Sequence, residues 1–145
     1  MQGKSGKWLG KLPTRDLAGI ISMLHVVRHP STRVGPRPGE DAAVIDLGMC
    51  DLVAHVDPIT EAGRLAGWLA IHVASNDVAV TGARPMWAMV TILLREGAGG
   101  EELEEVARGV MDASREVGVE IVGGHTEVTP GLSKSIVQAA VLGCT

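Results

Sequence analysis

The chain has 145 residues but no phenylalanine, no tyrosine and only three tryptophans, so aromatic rings cannot fill its interior. The core must be built from aliphatic side chains, which a hydrophobic content of 46% supplies. This length predicts one domain that is large enough to bury a core of its own. Basic residues are also scarce, since 13 Lys and Arg stand against 17 Asp and Glu, for a net charge of −4. Without a basic stripe, this balance argues against nucleic-acid binding.

Cysteine and long apolar runs are scarce as well. Cys50 and Cys144 have neither the spacing of a zinc site nor the density of a disulfide framework. The simplest interpretation is a pair of reduced thiols in a cytoplasmic protein. No uninterrupted apolar run approaches the ~20 residues of a membrane span. The basic N-terminus also lacks the apolar segment of an export signal, so we expect no membrane association.

Hydrophobic periodicity predicts an α+β domain over residues 14–145, preceded by a flexible Gly/Lys-rich arm over residues 1–13. Residues 31–41 hold the Pro and Gly of a loop. The predicted elements are a helix over 14–28, strands over 42–47 and 52–56, a helix over 65–82, a strand over 86–94, a helix over 101–117, and strands over 119–122 and 135–142. This order, α-β-β-α-β-α-β-β, indicates a mixed sheet with helices on one face.

Two surfaces are expected of such a domain. The helix over 65–82 should present one shared face, formed by Leu65, Trp68, Leu69, His72, Val73 and Asn76. Several strands are apolar on both sides, so the sheet face without helices should be bare. A bare apolar sheet face predicts association, most simply as a twofold homodimer.

Acidic residues stand where predicted elements meet turns. Glu40 and Asp41 lie in a loop that enters a strand, and Asp57 ends the next strand before Pro58. Asn76-Asp77 lies inside an apolar helical segment, although both residue types are poor in helix interiors. Converging carboxylates are the usual means of holding Mg²⁺ against phosphate oxygens, so this pattern predicts a nucleotide site. The alternatives are solvated acidic turns and, for Asn76-Asp77, an exposed polar edge of the helix.

The segment Gly123-Gly124-His125-Thr126-Glu127 follows a predicted strand as a turn. Paired glycines let backbone N–H groups approach an anion closely. His125 has three open interpretations: a donor to phosphate, a metal ligand or a packed residue. His55 and His72 fit core or rim positions better than ligand positions. No Walker A motif, dinucleotide fingerprint or nucleophile elbow is present, so a nucleotide site must be of another type.

Together, these motifs resemble the superfamily of aminoimidazole ribonucleotide (AIR) synthetase, thiamine-monophosphate kinase, selenophosphate synthetase and the hydrogenase-maturation protein HypE. No single motif is specific, but the set of motifs in this order is specific. The resemblance covers the chain from about Gly10 to its end. The variant present here is most similar to archaeal HypE-like, AIR synthase-related proteins. The residues that carry the resemblance are 39–43 (GEDAA), 55–58 (HVDP), 76–79 (NDVA), 82–85 (GARP) and 123–127 (GGHTE).

The resemblance implies an α+β ATP-binding domain that dimerises through its sheet into a β-barrel, with ATP and Mg²⁺ at the dimer interface. Asp41, Asp57 and Asp77 would face the metal-bound triphosphate. Glu127 would be a further ligand, because His125 stands where the family often has an acid. The implied nucleotide contacts are Lys4, Lys7, Glu40, Asn76, Gly123, Gly124, His125 and Thr126. A HypE-like protein would use ATP to activate an amide-like oxygen by phosphorylation, alongside other maturation proteins.

Three departures from the family bear on function. The second domain of such proteins is missing, so the chain is expected to be a fragment or a shortened paralogue. No cysteine precedes Cys50, which argues against the selenophosphate synthetase branch. Cys144 ends a predicted strand, so it is not assigned the carrier role that a C-terminal cysteine has in HypE. The alternatives are another kinase or synthetase of the superfamily, or a non-catalytic dimerisation module.

Overall fold

A computed structural model describes residues 10–24 and 27–145 of the chain. The predicted arm over residues 1–13, with Lys4 and Lys7, lies mostly outside the described residues. The helices are α1 (Thr14–Leu24), α2 (Ala66–Ala79), which a short 3₁₀ turn over Gly63–Leu65 precedes, and α3 (Gly100–Val117). The strands are β1 (Thr32–Val34), β2 (Ala43–Asp46), β3 (Asp51–Ile59), β4 (Arg84–Arg95), β5 (Glu120–Thr129) and β6 (Ile136–Cys144).

The six strands form one mixed sheet in the order β1-β2-β3-β6-β4-β5. All neighbours are antiparallel except β4 and β5, which run parallel and are connected through α3. The predicted α+β class and the mixed sheet are confirmed. Among the described residues, no helix combines the length and the apolar character that a membrane crossing requires.

The core lies between the sheet and α2. Alternate residues of the central strands face it: Ala88, Val90, Ile92 and Leu94 of β4, and Val137, Ala139 and Val141 of β6. The buried face of α2 consists of Ala66, Gly67, Ala70, Ile71, Ala74, Ser75 and Val78. The face predicted from Leu65, Trp68 and their neighbours is a different one, half-buried to exposed, on which the rings of Trp68 and His72 lie 3.9 Å apart. Small residues on the buried face let the α2 backbone approach the sheet and α3 more closely. A Cβ on Gly67 would lie 2.2 Å from the Val106 carbonyl oxygen of α3.

Several predicted boundaries differ from the structure. The expected loop over 31–41 contains β1, which pairs with β2. The strand that the sequence ends near Asp57 continues to Ile59. Pro58 has no backbone N–H, but it still pairs with β6 in the sheet. The turn expected at Gly123-Gly124 is wrong, since β5 runs through both glycines to Thr129. Pairing with β4 overrides the local signal of two glycines.

The expectation of reduced cysteines is also wrong, because Cys50 and Cys144 form a disulfide. Cys50 lies in the hairpin before β3, and Cys144 ends β6, which is the neighbour of β3. The antiparallel register sets Leu52 opposite Cys144, so residues that are 94 positions apart in sequence meet at one end of the sheet. Sequence spacing alone carries no sign of this contact.

One face of the sheet carries none of the described helices. Its residues include Val56 of β3 and Met89 of β4, which are 51% and 47% exposed. On β5, every residue from Glu120 to Val128 is exposed, since this strand lies at the sheet edge beyond the reach of α2. The bare face expected from the sequence is thus present in the single chain.

Candidate functional site

Three potential metal ligands meet where β3 passes under the end of α2. His55 and Asp57 alternate on β3, so both side chains point to the helix-bearing face that Val53 also occupies. Asp77 reaches them from the last turn of α2. One ligand atom from each residue lies within 4.8 Å of the others, and all three residues are half-buried. We name this group the β3–α2 cluster.

Contacts on both ring nitrogens fix His55. Its Nδ1 contacts the backbone carbonyl oxygen of Asp41, an acceptor, so Nδ1 carries the donated proton. Its Nε2 lies 2.9 Å from Oδ2 of Asp77, and the side chain is only 13% exposed. Nε2 is nevertheless buried without a hydrogen-bond partner, because the carboxylate oxygen lies off the line that a ring N–H would take.

The electrostatics of the cluster favour a cation. Asp57 and Asp77 contribute two carboxylates in a half-buried position. Asp77 also lies in the last turn of α2, which contains no basic residue. A helix concentrates partial negative charge at its C-terminus, so a carboxylate there is unfavourable without a nearby positive charge. The sequence-predicted ligands Asp57 and Asp77 are thus brought together where an ion would relieve their repulsion.

The GEDAA loop borders the cluster but adds no carboxylate to it. Asp41 is exposed, and its main-chain oxygen, rather than its side chain, contacts His55. Glu40 forms an ion pair with Arg37, at 2.5 Å between Oε1 and a guanidinium nitrogen. A cavity of about 260 Å³ lies between this loop and β3, with His55 in its wall. Asn76 is exposed on α2, beside Asp77 in sequence.

The β5 motif lies elsewhere in the same chain. Along one row of the sheet, Asp57 pairs with Ala139 of β6. The row continues through Val90 of β4 to Gly124 of β5, which is three strands from Asp57. Three strand spacings of about 4.8 Å separate the two positions by roughly 14 Å. Within one chain, the β5 motif therefore cannot share an ion with the β3–α2 cluster.

Two side chains of the β5 motif, His125 and Glu127, point to the sheet face opposite the β3–α2 cluster. His125 pairs with Thr91, and Glu127 with Leu93, on the bare face of the sheet. Nε2 of His125 lies 3.0 Å from Oε2 of Glu127. The hydrogen bond from His125 and a second one from the Thr129 hydroxyl hold the pKa of Glu127 below its ordinary value. Thr126 lies between them on the helix-bearing side, exposed like the rest of β5.

A cavity of about 530 Å³ lies away from the cluster, at the N-terminus of α3. Its cations are already paired with acids in its wall. Arg64 lies 3.2 Å from Glu105, and Lys134 contacts Glu61. Arg95 likewise pairs with Glu102, at 3.0 Å. Internal neutralisation of this kind makes the cavity a weaker candidate for an anionic ligand than its size alone would indicate.

His55 is the member of the cluster that sequence reasoning did not predict as a ligand. A signal for it exists, since His-x-Asp on a strand places both side chains on one face. The strand prediction ended at Val56, however, and the contact with α2 is a tertiary one. His72 was expected at a core or rim position; it is half-buried, with Nε2 2.9 Å from Oε2 of Glu116 on α3.

Comparison with known proteins accounts for the order of these motifs. The family model described as AIR synthase related protein, N-terminal domain, matches residues 39–145. The chain belongs to this AIR synthase-related family. Residues 39–145 include both segments of the β3–α2 cluster and the β5 motif.

Relatives within the AIR synthase-related family are longer than this chain. A Methanocaldococcus jannaschii protein, named as a hydrogenase expression/formation protein, is 32% identical over 99% of this chain and 43% of its own length. This chain therefore spans less than half of that relative.

Solved structures of family members are similar as well. Hydrogenase maturation protein HypE in complex with ATP is 28% identical, with a TM-score of 0.60 over 86% of this chain and 35% of that one. A HypE–HypF complex contains a chain 25% identical, with a TM-score of 0.59 over 72% of this chain and 36% of that one. Both likenesses cover most of this chain and a minor part of the solved one.

Proposed function

We propose that this chain is the ATP-binding domain of a HypE-like hydrogenase-maturation protein and that its nucleotide binds as a Mg²⁺ complex. The observation that carries the proposal is the β3–α2 cluster, in which Asp57 and Asp77 converge beside a buried imidazole. The family relationship supports it, because one similar HypE is solved in complex with ATP. Two half-buried carboxylates at a helix C-terminus are well suited to an ion that carries phosphate.

In this proposal, Asp57 and Asp77 hold Mg²⁺, with Asp41 and Glu127 as further ligands. The ion would neutralise phosphate oxygens, and catalysis of phosphoryl transfer depends mainly on such neutralisation and on positioning. Asp41 borders the cluster through its main chain, so a change of loop conformation would bring its carboxylate into reach. The remaining nucleotide contacts are proposed as Lys4, Lys7, Glu40, Asn76, Gly123, Gly124, His125 and Thr126.

Glu127 and its neighbours require a second subunit in this scheme. The Glu127 and His125 side chains lie on the bare face, three strands from Asp57 and on the opposite side of the sheet from it. We therefore propose a homodimer that buries the bare face, in which β5 of one subunit approaches the cluster region of its partner. The exposed apolar residues Val56 and Met89 support such an interface, since their burial would be favourable.

The proposed role of the whole protein is ATP-dependent activation of an amide-like oxygen by phosphorylation, with loss of phosphate afterwards. A HypF-like maturation protein is the proposed partner class, because one similar HypE is solved with HypF. Each of these statements concerns a protein longer than this chain. For the isolated chain, the proposal is limited to nucleotide binding and dimerisation.

Thermal unfolding with a nonhydrolysable ATP analogue and Mg²⁺ tests the proposal. At a ligand concentration about 100 times Kd, binding should stabilise the wild type by about 2.7 kcal/mol and raise the melting temperature by several degrees. Asp57→Asn should lose most of this shift. The matched control is Asp112→Asn on α3, an exposed acid 3.8 Å from Arg115, which should keep it.

Solution mass by light scattering completes the test, since a homodimer has twice the chain mass of 15.1 kDa. A folded dimer with no nucleotide-dependent shift would contradict the nucleotide site and favour a dimerisation module without chemistry. A monomer that binds nucleotide would instead contradict the interface and the assignment of Glu127.

A further inference from the structure

We infer that the β3–α2 cluster is a mixed nitrogen–oxygen site that binds a first-row transition-metal dication through His55, Asp57 and Asp77, in preference to Mg²⁺ and without nucleotide. The inference rests on the metal site of the proposed function and replaces its Mg²⁺ with another class of ion. It nevertheless rests on the geometry of three side chains and does not require that ATP binds.

The first observation is the unpartnered Nε2 of His55. Because Nδ1 contacts the Asp41 carbonyl oxygen as a donor, Nε2 is the ring nitrogen left to bind a metal ion. That atom is buried, forms no hydrogen bond and lies 2.9 Å from Oδ2 of Asp77. A metal ion that accepts electron pairs from both atoms satisfies them together.

The second observation is the spacing of the ligand atoms. An ion with ligand bonds of about 2.1 Å holds ligands at right angles about 3.0 Å apart, and opposite ligands about 4.2 Å apart. Nε2 of His55 and Oδ2 of Asp77 are separated by 2.9 Å. All three ligand atoms lie within 4.8 Å of one another. One face of an octahedral sphere would need the Asp57 oxygen about 3.0 Å from each of the other two ligand atoms.

The third observation is the support around the ligands. Ligand histidines usually donate their second ring N–H to a carbonyl or carboxylate, which fixes the ring and the tautomer. The Asp41 carbonyl contact supplies this support to His55. His125 differs, because its Nε2 makes an exposed hydrogen bond to Glu127 and no third ligand from the described part of the chain joins them.

The ligand chemistry then decides which ion is preferred. Mg²⁺ favours an all-oxygen sphere, whereas imidazole suits first-row transition metals. One imidazole and two carboxylates, with three positions left for water or phosphate, therefore favour Mn²⁺ and the metals that follow it over Mg²⁺. Mn²⁺ is the suitable probe, because it also accepts carboxylate and phosphate oxygens and is paramagnetic.

The test measures Mn²⁺ binding to the tag-free chain in divalent-free buffer without nucleotide. Loss of the free Mn²⁺ signal in room-temperature EPR gives the affinity and stoichiometry, and competition gives the affinity for Mg²⁺. We expect one Mn²⁺ per chain, bound at least about ten-fold more tightly than Mg²⁺. Pulsed EPR should detect a ¹⁴N coupling from the imidazole ligand.

His55→Gln should weaken Mn²⁺ binding at least about ten-fold and abolish the ¹⁴N coupling. The matched control is His72→Gln, which removes another half-buried histidine whose Nε2 lies 2.9 Å from a carboxylate. This control should change neither the Mn²⁺ affinity nor the ¹⁴N coupling. Asp57→Asn gives a second variant that leaves the imidazole in place. It should lower the affinity but keep the ¹⁴N coupling when saturated.

The inference is overturned if the folded chain binds no Mn²⁺, if Mn²⁺ binds without ¹⁴N coupling, or if Mg²⁺ competes equally. A stable His55–Asp77 ion pair is then the better description of the contact. If His55→Gln does not fold, the ¹⁴N coupling of the wild type and the Mn²⁺ affinity of Asp57→Asn still test the inference. Failure of nucleotide binding leaves this result unaffected, so the two proposals fail separately.

Discussion

The adjacent glycines of β5 differ in what a side chain would meet, which makes them a sharp test of the fold. A Cβ on Gly124 would lie 1.9 Å from the Val90 carbonyl oxygen and 2.8 Å from the Val90 carbonyl carbon of β4. A Cβ on Gly123 would meet only the Cγ of Met89, at 3.9 Å, which is an ordinary contact. Gly124→Ala should therefore destabilise the chain, and Gly123→Ala should not.

The magnitude follows from these distances. Relief at Gly124 needs a displacement of more than 1 Å, and the obstructing atoms are backbone atoms that cannot rotate away. Overpacking of a closed site costs about 1–3 kcal/mol, and we expect the upper end of this range. At about 2–4 °C per kcal/mol, the melting temperature should fall by roughly 6–12 °C. Gly123→Ala should gain up to about 1 kcal/mol, because alanine loses less entropy in a strand.

Urea denaturation and thermal unfolding of the two variants, without nucleotide, measure the difference. Amide hydrogen exchange locates the loss of stability. In Gly124→Ala, the amides between β4 and β5 should exchange first if the edge strand detaches. Equal stabilities for the two variants would refute the close approach of β5 to β4. A nucleotide-dependent effect without any loss of stability would instead favour the anion-binding role predicted for these glycines.

Two further predictions concern the β1–β3 end of the sheet. Hydrogen bonds from Arg33 and from the Gly48 N–H hold the pKa of Asp46 below its ordinary value. The Asp46 carboxylate therefore stabilises the fold at pH values above its ordinary pKa, and this stabilisation is lost as the pH falls through the lowered pKa. Arg33→Gln should raise the pKa of Asp46, measured by carboxyl NMR, and an unchanged value would contradict the ion pair. Reduction of the Cys50–Cys144 disulfide, which spans 94 residues, should lower the free energy of unfolding by about 2–4 kcal/mol in urea. Free thiols in the freshly prepared, air-exposed chain would contradict that bond.

Helix and strand types followed from hydrophobic pattern wherever segments were long and periodic. The segment 101–117 carries apolar residues at helical spacing and acids in its first turn, and it forms α3. The apolar run over 86–94 forms β4, extended by one or two residues at each end. Short or interrupted signals were less reliable, as at β1 and at the glycines of β5, because strand pairing supplies hydrogen bonds that local sequence does not encode.

The buried face of α2 shows why the packing was harder to predict. The helical period is correct, but a pattern that set large residues such as Leu65 and Trp68 on one face did not show which face is buried. Small residues face the sheet and α3 instead, and Leu65 is 61% exposed. A sequence shows which residues are apolar, whereas the distance between packed backbones decides how large a buried residue can be.

For the candidate site, the sequence by itself determined the ligand types and their local order: Asp57 at the end of an apolar strand, Asp77 in an apolar helix, and the glycine-rich motif after another strand. Tertiary structure alone decided which of them meet. Packing of α2 on β3 joins Asp57 and Asp77 with His55, while the strand order sets Glu127 three strands away on the other face. The physical reason is that residue chemistry is local, whereas convergence depends on sheet order and helix position, which many long-range contacts fix together.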